Sequence, residues 1–244
     1  MKQPFLIASV SLAIVAAATA AALPFARHRA PHESSAAGSL AYSSAGAMRV
    51  RRGGRDASDV KRKLQQAEPG TYIGEILLTR DSSLARWHDR TAHPLRVWIQ
   101  PSSDVPDWQP EFVEQVRGAF SAWAATGIPV HFAFVSDSAT ADVHVRFIDQ
   151  FSAPISGKTR WARDDHWWIV DADIVLAVHH DGGEALDRSA VHAIALHEVG
   201  HMLGLDHTAD VANIMTPRVR VRDLSPADRL TMRLLYSLPP GPVR

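Results

Sequence analysis

Apolar side chains recur every three or four residues in two stretches of the chain, residues 110–126 and 189–203. This spacing gathers them on one face of an α-helix, so each stretch is predicted to be helical. Gly127 would end the first helix, and Ser189 is the expected N-cap of the second. A shorter helix is predicted over residues 224–236.

Runs of β-branched, aromatic and alternating apolar residues predict strands between these helices. The predicted strands are residues 95–99, 130–135 and 142–148, followed by a strand–turn–strand unit over residues 157–178 that turns near Asp164 and Asp165. This order of strands and helices indicates an α+β (mixed α/β) domain, in which a helix packs on a mixed sheet. We place that domain at residues 93–240.

The first residues have the composition of a targeting segment. Lys2 precedes an apolar run over residues 5–23, and the small residues at 20–22 suit a signal peptidase. Residues 1–22 are therefore predicted to be a signal peptide. An uncleaved N-terminal anchor is the alternative, because about twenty apolar residues also span a bilayer, and only then would the protein contact a membrane. Either way, a secreted or cell-envelope location is expected for the rest of the chain.

Residues 23–92 are predicted to be a flexible linker or a pro-segment-like region. Most of this region is rich in Ser, Ala and Gly and has few apolar residues. Near its end, Ile73 and the apolar residues 76–78 favour strands, which predicts a hairpin over residues 70–87. The hydrophobic core is expected to begin near Leu95.

The amino-acid composition excludes several kinds of functional site. The 244 residues include no cysteine, which excludes disulfides, cysteine-based zinc sites and a thiol nucleophile. Lys and Arg total 26, as do Asp and Glu, so the chain lacks the basic excess that nucleic-acid binding needs, and no nucleic-acid partner is expected. A zinc site in this chain would have to use His, Asp or Glu.

The stretch HEVGHMLGLDH has the spacing of a metal site. His197 and His201 are four residues apart, so their imidazoles point to the same side of the predicted helix. Glu198 would reach a metal-bound water rather than the metal itself. Gly204 permits the left-handed turn that ends a helix, and the chain can then bend back to bring His207 to the metal. Three imidazoles with a fourth position open are typical of catalytic zinc.

Together with the segment NIMTP that follows it, this motif resembles the metzincin metallopeptidases, and most of all their matrixin branch. In that family a methionine turn lies beneath the three zinc histidines, and Met215 matches it. Pro217 matches the segment with which matrixins wall the pocket for the residue after the scissile bond. Asp228 and Tyr236 match the family's C-terminal helix, so the resemblance extends over about residues 94–238.

The resemblance implies a five-stranded mixed sheet with two long helices, an active-site helix, the methionine turn and a small C-terminal subdomain. It implies a zinc endopeptidase in which His197, His201 and His207 hold one catalytic Zn²⁺ and Glu198 is the general base. The substrate would be a polypeptide bound in extended form along the edge strand, near residues 158–163, and we expect a monomer. A hydrolase dedicated to one partner, and a zinc-containing peptide-binding module without turnover, are the alternatives.

The chain departs from the animal matrixins in several ways. The family's latency switch is a cysteine, which this chain lacks, and His88, His93 or an aspartate would have to replace it. Asp206 either supports the neighbouring His207 or is a surface carboxylate. The loop at residues 149–161 is short and has no histidine, so no second zinc is expected, and the other histidines are candidates by residue type alone: His144, His166, His179 and His180. A Ca²⁺ site stays open, with candidate carboxylates that lack an ordered spacing: Asp171, Asp173 and Asp181.

Overall fold

The structure is a computed structural model that describes residues 62–64, 70–80 and 82–243. The predicted signal peptide at residues 1–22 and most of the predicted linker lie outside these ranges. The described helices are α1 (Ile73–Thr79), α2 (Glu111–Ala124), α3 (Arg188–Met202) and α4 (Pro226–Ser237). The described strands are β1 (Ser83–Leu84), β2 (Arg90–Ile99), β3 (Val130–Val135), β4 (Val143–Ile148), β5 (Gly157–Arg163), β6 (Ile169–Ala177) and β7 (Gly241–Pro242). Each of these helices is too short or too polar to cross a bilayer.

Five strands form one mixed sheet in the order β3–β2–β4–β6–β5. Strand β2 pairs in parallel with both β3 and β4, and β4 pairs in parallel with β6. Strand β5 is antiparallel to β6 and has no second neighbour among the described strands. It is therefore an edge strand, as predicted for residues 158–163, and β3 lies at the opposite edge. The predicted α+β fold with a five-stranded mixed sheet is confirmed.

Helices α2 and α3 pack against each other and supply much of the core. Helix α2 buries Phe112, Val116, Phe120 and Trp123, the side chains whose spacing predicted it. The Trp123 indole donates a 2.8 Å hydrogen bond to the Leu196 carbonyl, which fixes α2 against α3. Helix α3 is buried along almost its whole length, so it is an internal helix rather than one with a solvent-facing side.

The N-cap of α3 differs from the predicted one. Asp187, not Ser189, caps this helix, and its carboxylate accepts a 2.7 Å hydrogen bond from the Ala190 amide. Aspartate and serine are both good cap residues, but the charged carboxylate also interacts favourably with the positive end of the helix dipole. The prediction of Ser189 is therefore wrong by two residues.

The predicted hairpin over residues 70–87 is also wrong. Residues Ile73–Thr79 form helix α1, and only Ser83–Leu84 are in a strand, which pairs with β7 near the other end of the chain. Ile73 and Ile76 are three residues apart and both are buried. The burial of one helical face therefore outweighs the β preference of isoleucine.

The hydrophobic core begins earlier in the chain than expected. Tyr72, Ile76 and Trp87 are buried in the same cluster as the sheet and the long helices, well before Leu95. The Trp87 indole donates a 2.9 Å hydrogen bond to the Met202 carbonyl at the end of α3. The start of the core therefore does not coincide with the predicted boundary at residue 92.

Candidate metal centre

The end of helix α3 brings three histidines together. His197 and His201 lie one turn apart on the buried helix. Gly204, with φ of +108°, then adopts the left-handed conformation, and the Leu205 amide bonds the Gly200 carbonyl at 2.9 Å. This six-to-one bond is the Schellman ending of a helix, which reverses the chain. The loop that follows the reversal carries the third histidine back to the first two.

The three Nε2 atoms converge on one point. The distances between them are 2.9 Å for His197–His201, 3.2 Å for His201–His207 and 3.3 Å for His197–His207. Ligand nitrogens held at about 2.0–2.1 Å from a tetrahedral zinc lie about 3.3 Å from one another. The spacing of the three nitrogens therefore fits a single zinc ion.

The hydrogen bonds of the opposite ring nitrogens set the direction of the lone pairs. His197 Nδ1 lies 2.8 Å from the Ile214 carbonyl, and His201 Nδ1 lies 3.1 Å from the Leu205 carbonyl. A carbonyl can only accept, so each Nδ1 carries the proton and each Nε2 presents a lone pair. Lone pairs that face one another at this distance repel unless a cation lies between them, which is the second sign of a metal site.

The histidines are held in their neutral, ligand-competent form. Burial lowers the pKa of His197 well below its usual value, and the neighbouring imidazoles lower it further. Burial likewise lowers the pKa of His201 to about 3. The pKa of His207 is lowered by burial too, against the opposing effect of the Asp206 carboxylate. A metal ion therefore needs to displace no protons from these rings at neutral pH.

Glu198 lies fully buried on α3, next to the first histidine. Its Oε2 accepts a 2.6 Å hydrogen bond from the Thr159 hydroxyl of the edge strand. Its Oε1 is buried and has no partner among the described residues. Burial raises the pKa of Glu198 to about 8, and the hydrogen bond from Thr159 opposes that shift. A cation held by the adjacent imidazoles would favour the carboxylate form.

Strand β5 begins directly beside the carboxylate of Glu198. A Cβ atom on Gly157 would collide with Glu198 Oε1 and would lie only 2.7 Å from the Ile194 side chain. Gly157 and Thr159 are thus part of the site, although the sequence predicts neither of them there. Each is an ordinary strand residue in the sequence, and Thr159 lies 39 positions before its partner, so no local pattern could reveal the contact.

Met215 is buried against the metal helix, and its role as the methionine turn stays a prediction. The close fit depends on Gly200 in α3, where any Cβ atom would collide with the Met215 sulfur. The preceding residue, Ile214, accepts the hydrogen bond from His197, and its amide donates at 2.9 Å to the buried carboxylate of Asp228. Asp228 belongs to the capping box of α4, so the C-terminal helix holds the turn in place.

Two predictions concern residues beside the three histidines. Asp206 is not a free surface carboxylate, because it accepts hydrogen bonds from Arg80 at 3.0 Å and from the His207 amide at 2.8 Å. Pro217 is exposed just after the methionine turn, and its role in walling a substrate pocket stays a prediction. Arg80 was not expected at this site, since it lies in the segment predicted to be a linker.

Three of the other candidate metal ligands have partners of their own. His144 bonds a backbone carbonyl at 2.8 Å, and His179 lies between the carboxylates of Asp107 and Asp149. Asp173 pairs with an arginine of β4 at 3.0 Å. Within the part of the chain that the structure describes, one group of three potential ligands converges, and it is the three-histidine group.

A sequence model of the matrixin family matches residues 87–237, which is more than half of the chain. The chain belongs to the matrixin family. The match includes the sheet, the metal helix, the methionine turn and the C-terminal helix. Matrixins are zinc enzymes, and the three histidines fit a zinc site in this matrixin.

Three known metalloproteinases are similar to the chain over part of their length. Matrix metalloproteinase-C of Caenorhabditis elegans is 27% identical over 175 residues, which cover 64% of this chain and 28% of the relative. Metalloendoproteinase 1-MMP of Arabidopsis thaliana is 30% identical over 123 residues, or 43% of this chain and 31% of the relative. Metalloendoproteinase 1 of Glycine max is 25% identical over 178 residues, or 64% and 54%. The chain thus spans between about a quarter and about half of these relatives.

Proposed function

We propose that the protein is a zinc-dependent endopeptidase that hydrolyses peptide bonds with a water molecule activated at the three-histidine site. The observation that carries this proposal is the convergence of three histidine Nε2 atoms beside a buried glutamate whose second oxygen is unpartnered among the described residues. Bound zinc would lower the pKa of that water and polarise the scissile carbonyl.

Glu198 is the general base in this proposal. Its Oε1 is free to accept the proton of the attacking water, while Thr159 holds Oε2 and so fixes the orientation of the carboxylate. The same carboxyl group then delivers the proton to the departing amine. His197, His201 and His207 hold the metal, and the hydrogen bonds from Nδ1 to backbone carbonyls keep the rings of His197 and His201 in orientation.

The substrate is proposed to be a polypeptide that lies extended along strand β5. The outer edge of this strand is unpaired among the described strands, and an extended chain can bind there through main-chain hydrogen bonds. Because Thr159 ties this strand to Glu198, a chain bound at the edge would lie beside the catalytic carboxylate. We further propose that the enzyme acts outside the cytoplasm as a monomer, after removal of a signal peptide at residues 1–22 or while held by it as an anchor.

A substrate panel tests the proposed function. Purified protein loaded with one equivalent of zinc should cleave an unfolded protein such as casein, and a chelator should stop the cleavage. The variant Glu198→Gln, made in the same way, is the matched control for contaminating proteases. Binding of casein without cleavage would favour the peptide-binding module, and cleavage of no member of a broad panel would favour a hydrolase dedicated to one partner.

A further inference from the structure

Arg80, just after helix α1, donates three hydrogen bonds to the loop that carries the third histidine. Its Nε bonds Asp206 Oδ2 at 3.0 Å, its Nη1 bonds the Gly204 carbonyl at 2.9 Å and its Nη2 bonds the Leu205 carbonyl at 2.9 Å. The Arg80 side chain is only 12% exposed. A guanidinium group can satisfy three acceptors in one plane, which a lysine ammonium cannot do in this geometry.

The acceptors of Arg80 are the same groups that orient two of the histidines. The Leu205 carbonyl also accepts the hydrogen bond from His201 Nδ1 at 3.1 Å. The Asp206 carboxylate also accepts a hydrogen bond from the His207 amide at 2.8 Å. One buried arginine therefore fixes the partners of both His201 and His207. Its charge is balanced by the Asp206 carboxylate, as a buried cation requires.

Helix α1 holds the far side of the same loop as well. Glu75 Oε1 accepts a 2.9 Å hydrogen bond from the Thr208 hydroxyl, and Glu75 Oε2 accepts one of 2.7 Å from the Ala209 amide. The two contacts lie immediately after His207, whereas those of Arg80 lie immediately before it. Arg80 and Glu75 thus hydrogen-bond to the loop on both sides of His207. The Arg80 guanidinium also lies 5.3 Å from the ring centre of Trp161 on the edge strand, which encloses it further.

We propose that residues 72–80, which precede the range matched by the family model, are a permanent part of the metal centre, with Arg80 and Glu75 as positioning residues for its second and third histidines. The inference rests on the proposed zinc site. It assigns these residues to the working enzyme rather than to a removable pro-segment. Any processing of the amino-terminal region must then stop before Tyr72, because cleavage beyond that point would free the loop that presents His207.

The first test compares Arg80→Ala with Arg117→Ala in the full chain. Arg117 is a suitable control because it lies on α2 with its side chain 44% exposed, paired with Glu114. Zinc affinity is measured by competition with a chromophoric chelator, and the visible absorption of the cobalt-loaded protein reports the ligand geometry. Arg80→Ala should bind zinc about 10–100-fold more weakly and should change the cobalt spectrum, as loss of groups that orient metal ligands does. Arg117→Ala should do neither. Arg80→Ala that is folded, with unchanged zinc affinity and an unchanged cobalt spectrum, would overturn the proposal.

A milder pair of variants keeps the proposal testable if Arg80→Ala does not fold. Glu75→Gln preserves the size of the side chain but leaves only one oxygen to accept two hydrogen bonds, and the exposed Glu114→Gln is its control. Zinc should dissociate several-fold faster from Glu75→Gln than from the control. Equal dissociation rates would contradict the assignment. No substrate enters either experiment, so these results are independent of whether the protein cleaves peptides.

Discussion

Thr159 of the edge strand donates a 2.6 Å hydrogen bond to Glu198 Oε2 on the metal helix. This bond joins the strand on which a substrate would lie to the group that would activate water. It also leaves Glu198 Oε1 as the free acceptor, so the orientation of the carboxylate depends on a residue from a different element of the fold.

Replacing Thr159 by valine should shift the pH profile of catalysis. The hydrogen bond from Thr159 lowers the pKa of Glu198, so its loss should raise that pKa. A hydrogen bond to a charged acceptor contributes about 1.5–3 kcal/mol, which corresponds to roughly one pKa unit or more. The acidic limb of kcat/KM should therefore move up by about one pH unit in Thr159→Val. The exposed Thr140→Val is the control, and an acidic limb that stays in place in both variants would argue against this role of Thr159.

The metal-free protein should lose stability as the pH falls from about 6.5 to about 5. The three histidines have lowered pKa values in the folded state, so within this range the unfolded chain binds protons that the folded protein does not. Glu198 has the opposite effect, because its raised pKa means that its stabilising contribution is lost as the pH rises from 4.5 towards about 8. His179 acts in the same direction as Glu198. Its hydrogen bonds with Asp107 and Asp149 raise its pKa, but the three imidazoles of the metal site outweigh both groups. Calorimetry with a chelator present should give a falling Tm over this range, and a rising Tm would contradict the assignment.

Substituting Gly204 by alanine should damage both the fold and the metal site. Its φ of +108° is unfavourable for any side chain, and a Cβ atom would collide with the Ala85 carbonyl. We expect a loss of about 1–3 kcal/mol in the free energy of unfolding, because the substitution would strain the chain reversal that positions His207. Zinc binding should weaken for the same reason. Gly182→Ala, at a position with open space around it, should change neither quantity. Denaturant unfolding of the two variants side by side checks the prediction.

The boundary predicted at residue 92 can be tested by truncation. A chain that starts there lacks Tyr72, Ile73, Ile76 and Trp87, all of which are buried in the core. Each fully buried side chain of this kind contributes about 1.5–3 kcal/mol, so the sum approaches the whole stability of a domain. We therefore expect this chain to aggregate or to unfold without cooperativity, whereas one that starts at residue 62 should unfold cooperatively. Cooperative unfolding of the shorter chain would contradict this expectation and would support a domain boundary at residue 92.

The features of the protein that the sequence predicts are those that depend on short-range patterns. The buried face of helix α2 is visible in the regular spacing of its apolar residues. The metal motif occupies only eleven consecutive residues, in one helix and the turn after it. The contacts that the sequence does not predict join distant parts of the chain: Arg80 lies 125 positions from Leu205, whose carbonyl accepts its hydrogen bond. The apolar residues of helix α1 predict a hairpin because isoleucine prefers strands, and the packing partner that favours a helix here lies far away in the sequence. The periodicity of apolar residues in a sequence does not show which distant segments will pack together.

The roles of base and ligand are separated most directly by zinc content measured beside turnover in two variants. Glu198→Gln keeps the three imidazoles and removes the base, so it should retain about one zinc per chain and lose turnover by about 10²–10⁴-fold or more. His207→Ala removes one of three protein ligands, so it should lose zinc and turnover together. If Glu198→Gln loses its zinc while His207→Ala keeps it, the roles are inverted and the account of this site is contradicted.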